Sequence, residues 1–280
     1  MARKHAGTIV FSHANSFPSG TYRVLFEAWK KAGYTVLAVE KYGHDPKYPV
    51  TNHWPRLRDQ LVHFAEAKAK EPAFFVGHSL GGFLSLLAAA KRPDLARGVV
   101  MLDSPVIGGL LTPTIQFAKL TGLGMQFSPG AISRRRRDHW PSREAAHRHF
   151  ASKDSFARWD PRVLEDYIAC GIEDARPPME PGVTLAFRRE VETDIYNTLA
   201  HDIPGFLRRH PLRHPLAFIG GTQSTEVKRV GMNATERLAH GRVSWIEGEH
   251  LFPFERPEET SAEVLRWLKV LAELHSPVEA

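Results

Sequence analysis

A serine hydroxyl acts as a nucleophile only where the backbone presents it free of its neighbours and a base stands ready to take its proton. The run Gly77-His78-Ser79-Leu80-Gly81-Gly82 meets the first requirement. It fits a Gly-x-Ser-x-Gly pattern, in which a sharp strand-to-helix turn lifts the serine above a sheet and side chains two residues to either side would collide with neighbouring backbone. In a chain with 21 glycines the string alone is only suggestive. Its context carries the argument: residues 73–76 read as a buried strand immediately before it, and a helix begins at Leu80 immediately after. Ser79 is therefore the candidate nucleophile, for acyl transfer through a covalent intermediate. It needs a base, for which 15 histidines compete.

The elements that must position this turn alternate along the chain. Residues 8–11, 34–39, 73–76 and 98–102 are short apolar runs, separated by helical periodicity over 21–32, 52–70 and 80–91, and such alternation implies a parallel sheet. The alternation then stops. From 105 to 214 helical segments recur without strand alternation, and Thr112-Pro113 and Asp160-Pro161 each read as an N-cap followed by proline at the first helical position. Strand character returns at 216–219 and 243–246, with a helix near 227–240 between them and an amphipathic helix over 257–274 after them. The expected organisation is a core of residues 1–104 and 215–280, with a helical cap inserted over 105–214.

This order of elements, with the serine turn after the third strand, resembles the α/β-hydrolase superfamily from Gly7 to the C-terminal helix. The resemblance implies a mostly parallel sheet flanked by helices, and a compact member that begins directly at the strand near Thr8, without the two further strands the superfamily commonly has before it. Family members place the catalytic histidine in the loop after the final strand. Here that loop is Glu247-Gly248-Glu249-His250, which makes His250 the implied general base. Ser12-His13-Ala14-Asn15 stands where the family carries a His-Gly-x turn, with alanine in place of glycine, so the backbone N–H groups of Asn15 and Leu80 are the implied oxyanion donors.

The acid departs from the commoner family pattern. The stretch Phe218 to Ser224 puts Gln223 or Ser224 where an aspartate usually stands, and neither can carry negative charge. The end of the strand after the nucleophile helix supplies Asp103 instead, a position that some esterases use, with Glu226 the substitute if Asp103 only caps its turn. The implied reaction is hydrolysis of a carboxylic ester or related acyl compound through an acyl-enzyme on Ser79, with Trp140, Phe150, Trp159 and Tyr196 as candidate pocket walls. The same fold also supports cofactor-free perhydrolysis, acyl transfer to alcohols and carbon–carbon bond hydrolysis, and a pocket of this kind can survive as a non-enzymatic ligand receptor.

Composition narrows the field. At 42% hydrophobic and 24% charged residues the chain has a globular balance, and no apolar run reaches membrane-spanning or signal-peptide length. The single cysteine, Cys170, rules out an internal disulfide framework and reads as a packing residue of a cytoplasmic protein. The formal net charge of +6 has one conspicuous focus, Arg134 to Arg137, which reads as a solvated helix face flanked by Asp138, with docking of an anionic substrate tail as the alternative. No nucleic-acid reading motif accompanies it. No dinucleotide fingerprint follows a strand, and His147, His149 and His201 read as cap surface without a metal-ligand set, while His13 and His78 read as locally hydrogen-bonded. The expected partner is a small acyl substrate, with neither cofactor nor metal.

Overall fold

The computed structural model describes residues 5–107, 129–200 and 202–275. Nine strands form among them: β1 (Gly7–Ser12), β2 (Tyr34–Ala38), β3 (Ala73–His78), β4 (Ala96–Leu102), β5 (His139–Trp140), β6 (Ile172–Asp174), β7 (Val183–Leu185), β8 (Leu216–Gly221) and β9 (Val243–Ile246). Six make one sheet in the order β2-β1-β3-β4-β8-β9, and every neighbouring pair is parallel. The chain builds outward from β1 to β2 and then returns to add β3, β4, β8 and β9 on the other side. Strand order therefore reverses between β1 and β3, and a crevice opens beyond the C-terminal ends of strands at such a reversal.

Period-two side chains divide the core into two layers. Ile9, Phe11, Phe74, Val76, Val100 and Leu102 pack on one face against Leu25 and Trp29 of α1 (Arg23–Lys31) and Leu268 and Leu271 of the last helix. Val10, Phe75, Val99 and Met101 pack on the other against Leu57 and Leu61 of α2 (Pro55–Lys68) and Leu84 and Ala88 of α3 (Leu80–Lys91). Each such aliphatic or aromatic side chain contributes about 2 kcal/mol by leaving water, so the strands are fixed in register from both sides and their ends become rigid platforms.

The insertion between β4 and β8 carries α4 (Pro129–Arg135), α5 (Arg143–Ala151), α6 (Asp154–Ala157), α7 (Pro161–Gly171), α8 (Arg189–Asn197) and α9 (Ile203–Arg209). Asp160 caps α7 as its sequence suggests, its side chain accepting from Arg162 N–H with Pro161 in the first turn. The start proposed at Thr112-Pro113 lies outside the described residues. The insertion also holds an antiparallel sheet, β5-β7-β6, which the sequence does not reveal because strands of two or three residues are too short to show alternation.

Two further boundaries differ. Residues 52–54 do not join α2, because His53 and Trp54 turn left-handed (φ 63° and 60°) and the Trp54 indole donates to the Ile195 carbonyl at 3.1 Å. The helix expected near 227–240 is two, α10 (Thr225–Val230) and α11 (Asn233–Ala239), parted at Gly231 with φ 75°. After β9 come α12 (Phe252–Glu255) and α13 (Pro257–His275). No helix among the described residues is long and apolar enough to cross a membrane.

Candidate active site

Ser79 sits in the turn between β3 and α3 with φ 54° and ψ −118°, a backbone shape that L residues rarely adopt. Its neighbours explain how that shape persists. A Cβ on Gly81 would lie 1.9 Å from the Ser12 carbonyl oxygen of β1, and one on Gly77 would lie 2.1 Å from the Gly81 oxygen. The glycines thus let β1, β3 and α3 approach at backbone contact. Ser79 N–H donates to Leu102 O at 2.9 Å, and the Ser104 hydroxyl donates to Ser79 O at 2.8 Å, so β4 holds the turn from the other side.

His250 and Asp103 meet Ser79 there. The Ser79 hydroxyl lies 2.9 Å from His250 Nε2, and His250 Nδ1 lies 2.7 Å from Asp103 Oδ2. Asp103 terminates β4 with φ 47°, its side chain fully buried. Three donors surround its carboxylate: His250 Nδ1–H, Gly221 N–H at 2.8 Å and the Ser224 hydroxyl at 2.5 Å. Ser224, one of the two residues standing where the family pattern usually carries an aspartate, instead donates to Asp103 at the end of β4. Glu226 is 40% exposed and its Oε2 stands 3.7 Å from His250 Nδ1, beyond hydrogen-bonding reach. Among the described residues, Asp103, Glu226 and His250 form the one group of three potential metal ligands whose ligand atoms lie within 4.8 Å of one another. In that trio His250 Nδ1 faces Asp103, the geometry of a hydrogen-bonded pair.

Burial, the largest single influence on His250, lowers its pKa, but the Asp103 hydrogen bond and charge together with Glu226 and Glu249 outweigh it, so the net shift is upward. His78 shows the opposite balance. Fully buried, it is held well below the ordinary histidine range, first by desolvation and then by the His250 charge. Its neutral ring links two loops: Nε2–H donates to the His250 carbonyl at 2.9 Å and Nδ1 accepts from the Tyr22 hydroxyl at 2.8 Å, while the Tyr22 oxygen accepts from Ala14 N–H at 3.0 Å. His13 is also local, donating from Nδ1 to Ala14 O at 2.7 Å and accepting from Tyr42 N–H at 3.1 Å.

The sequence reading of Asn15 and Leu80 concerns their backbone N–H groups. Leu80 opens α3, where a first-turn N–H has no acceptor within its helix. Asn15 lies in the turn after β1, closed by Phe17 N–H to Ala14 O at 3.2 Å. Both residues flank the strand reversal on the side of Ser79.

Ser79, His250 and Asn15 line a cavity of about 490 Å³, with Ile132, Phe150, Phe156 and Tyr196 on the insertion side. Of the four expected walls, Phe150 and Tyr196 face the cavity. Trp140 and Trp159 do not: they are 0% and 5% exposed and pack in an aromatic core with Phe150, Tyr167 and Phe254. The arginine run also departs from a purely solvated face. Arg134 and Arg135 are exposed, but Arg136 turns inward to Glu192 at 2.8 Å. α4 ends at Arg135, so Arg136 and Arg137 lie beyond the helix and are not held to one helical face. His147 and His149 are half-buried, and His201 lies outside the described residues.

A sequence model of the alpha/beta hydrolase family matches residues 9–263. The chain is 34% identical over 207 residues to a 2-(acetamidomethylene)succinate hydrolase of Mesorhizobium japonicum, covering 73% of this chain and 67% of that protein. It is 23% identical over 224 residues to ethanol acetyltransferase 1 of Hanseniaspora uvarum, covering 76% and 64% respectively. Against several such curated relatives the chain spans only 35% to 64% of their length. A crystal structure of E-2-(acetamidomethylene)succinate hydrolase superposes with a TM-score of 0.70 at 21% identity, covering 95% of this chain and 93% of that one, which is a likeness of fold. A match across nearly the whole chain, joined to a sheet and helix order that agree with it, makes this chain a member of the alpha/beta hydrolase family.

Proposed function

We propose that the chain is a serine hydrolase that cleaves a carboxylic ester or related acyl compound through an acyl-enzyme on Ser79. The observation that carries this reading is the unbroken line from Ser79 Oγ through His250 to Asp103, at 2.9 and 2.7 Å, opening into a cavity. In the first step Ser79 Oγ attacks the acyl carbon, His250 Nε2 accepts its proton, and the Asn15 and Leu80 N–H groups stabilise the oxyanion; His250 then returns the proton to the departing alkoxide. In the second step His250 takes a proton from water, the resulting hydroxide attacks the acyl carbon, and Ser79 recovers its proton as the acid leaves. Asp103 keeps Nδ1 protonated and stabilises the imidazolium. The insertion serves as the cap, its Ile132, Phe150 and Phe156 giving the acyl group an apolar wall.

A second reading shares the acyl-enzyme and differs only in the acceptor. Similarity to an ethanol acetyltransferase favours testing an alcohol in place of water. The experiment is a fluorophosphonate label read at Ser79, combined with turnover of ester, thioester, lactone and amide panels with and without ethanol. Labelling with rapid release of free acid supports the hydrolase. Ethyl ester as the dominant product moves the function to transfer, and labelling with negligible turnover on every panel moves it to a ligand receptor.

A further inference from the structure

Among the charged side chains that line the cavity outside this proton relay, Arg136 and Glu192 form a buried pair. Arg136 follows α4, Glu192 lies in the first turn of α8, and they pair at 2.8 Å with side chains 20% and 6% exposed. Burial raises the Glu192 pKa, and the Arg136 charge and the Ser16 hydroxyl oppose that rise. A pair that only tied the insertion together could sit anywhere in its interior. This one reaches into the core. Arg136 Nη1 also donates to Ser16 Oγ at 2.6 Å, and Nη2 donates to the Tyr167 hydroxyl of α7 at 3.2 Å. The Glu192 main-chain carbonyl accepts from Asn15 Nδ2 at 3.1 Å.

Two consecutive residues of the turn after β1 are thus held from the insertion. Ser16 is the one that most needs holding: its φ of 81° is a left-handed conformation that a non-glycine residue keeps only when its surroundings impose it. Without the bonds to Arg136 and Glu192, the turn is free to relax toward ordinary φ, carrying the Asn15 N–H with it.

We propose that Arg136 and Glu192 are positioning residues, a clamp by which the cap holds the Asn15–Ser16 turn so that the Asn15 N–H meets the developing oxyanion. This rests on the serine-hydrolase reading of the site. The cap then completes the catalytic arrangement as well as walling the pocket. An oxyanion donor acts on the transition state more than on the bound substrate, so loosening the clamp lowers kcat and leaves KM nearly unchanged.

The test is steady-state kinetics on p-nitrophenyl acetate for Arg136→Met, Arg136→Lys and Ser16→Ala, with kcat expressed per fluorophosphonate-labelled site so that misfolded protein does not count. Arg136→Met is expected to lower kcat about 30-fold with KM within about threefold, and Ser16→Ala about tenfold because the Glu192 bond to Asn15 remains. Arg136→Lys should recover part of the loss, keeping a cation toward Glu192 and Ser16 without the planar fork that reaches Tyr167. If Arg136→Met fails to fold, Ser16→Ala decides alone, since it leaves the ion pair intact. A kcat per site within about twofold of wild type in the folded variants, or a rise in KM alone, overturns the clamp. A wild-type protein that neither labels nor turns over any ester removes the serine-hydrolase reading and the clamp with it; wild-type turnover with unaffected variants removes the clamp only.

Discussion

On the sheet side of the cavity, Ser79 and Asp103 stand where strands end, fixed by main-chain bonds from Ser79 N–H to Leu102 O and from Asp103 N–H to Ile219 O, and His250 stands in the turn after β9, its carbonyl accepting from the buried His78 ring. On the insertion side, Arg136, Glu192 and Tyr167 hold one another through side chains, and Phe150 and Phe156 pack ring against ring at 4.9 Å. The difference divides the labour. Main-chain placement depends on the whole sheet and tolerates little local change, so it suits groups that must hold a reacting geometry to fractions of an ångström. Side-chain placement changes with single substitutions, and it suits a wall that selects the substrate, with the Arg136–Glu192 pair as the proposed link from that wall to the reacting geometry.

Breaking the sheet side at its tightest contact should have the largest effect. Gly81→Val would drive a Cβ to 1.9 Å from the Ser12 oxygen, and the expected outcome is loss of soluble folded protein, read by expression and circular dichroism. Well-folded Gly81→Val would show that the turn is looser than its contacts imply. Next comes the acid. Asp103→Asn should lower kcat by about three to four powers of ten, whereas Glu226→Gln, acting only through charge at 3.7 Å, should cost less than about tenfold. The reverse ranking in folded variants would transfer the role to Glu226.

The charge of Glu226 has a subtler readout. His250 must be neutral to act as a base, so kcat/KM rises as pH increases through its pKa, which the neighbouring carboxylates hold above the ordinary histidine value. Glu226→Gln removes one raising charge and should move that limb to lower pH; a pH–rate profile checks the direction, and an unmoved limb would detach Glu226 from His250. The smallest effect is expected from the insertion wall. Phe150→Ala enlarges the cavity, so the preferred p-nitrophenyl ester should lengthen, with a severalfold change in the ratio of kcat/KM between octanoate and acetate. An unchanged ratio would take Phe150 off the acyl path.

The same division decides what could be read from sequence. The serine turn was legible because a backbone contact between β1 and α3 tolerates no side chain at Gly77 or Gly81, a constraint that must appear as glycine. Asp103 was legible as a strand-end carboxylate, although Ser224 was weighed only as a missing acid when it in fact donates to Asp103. The four-strand alternation before the insertion was plain because β1, β3 and β4 are buried along nearly their whole length. The insertion was harder. Its short strands β5 to β7 carry no period, Trp140 and Trp159 look the same in sequence whether they line a cavity or fill a core, and nothing in Arg134 to Arg137 shows which arginine turns toward a glutamate 56 residues away. Pairings between distant side chains leave no local pattern.

The central claim, that Ser79 carries the acyl group, is tested most directly by trapping. Mixing the protein with p-nitrophenyl acetate, quenching in acid during turnover and mapping peptides by mass spectrometry should place an acetyl group on the peptide containing Ser79. Ser79→Ala should show no acetylated peptide there and retain less than about a hundredth of wild-type turnover. Acetyl found reproducibly on another residue, or full turnover by folded Ser79→Ala, would contradict the account.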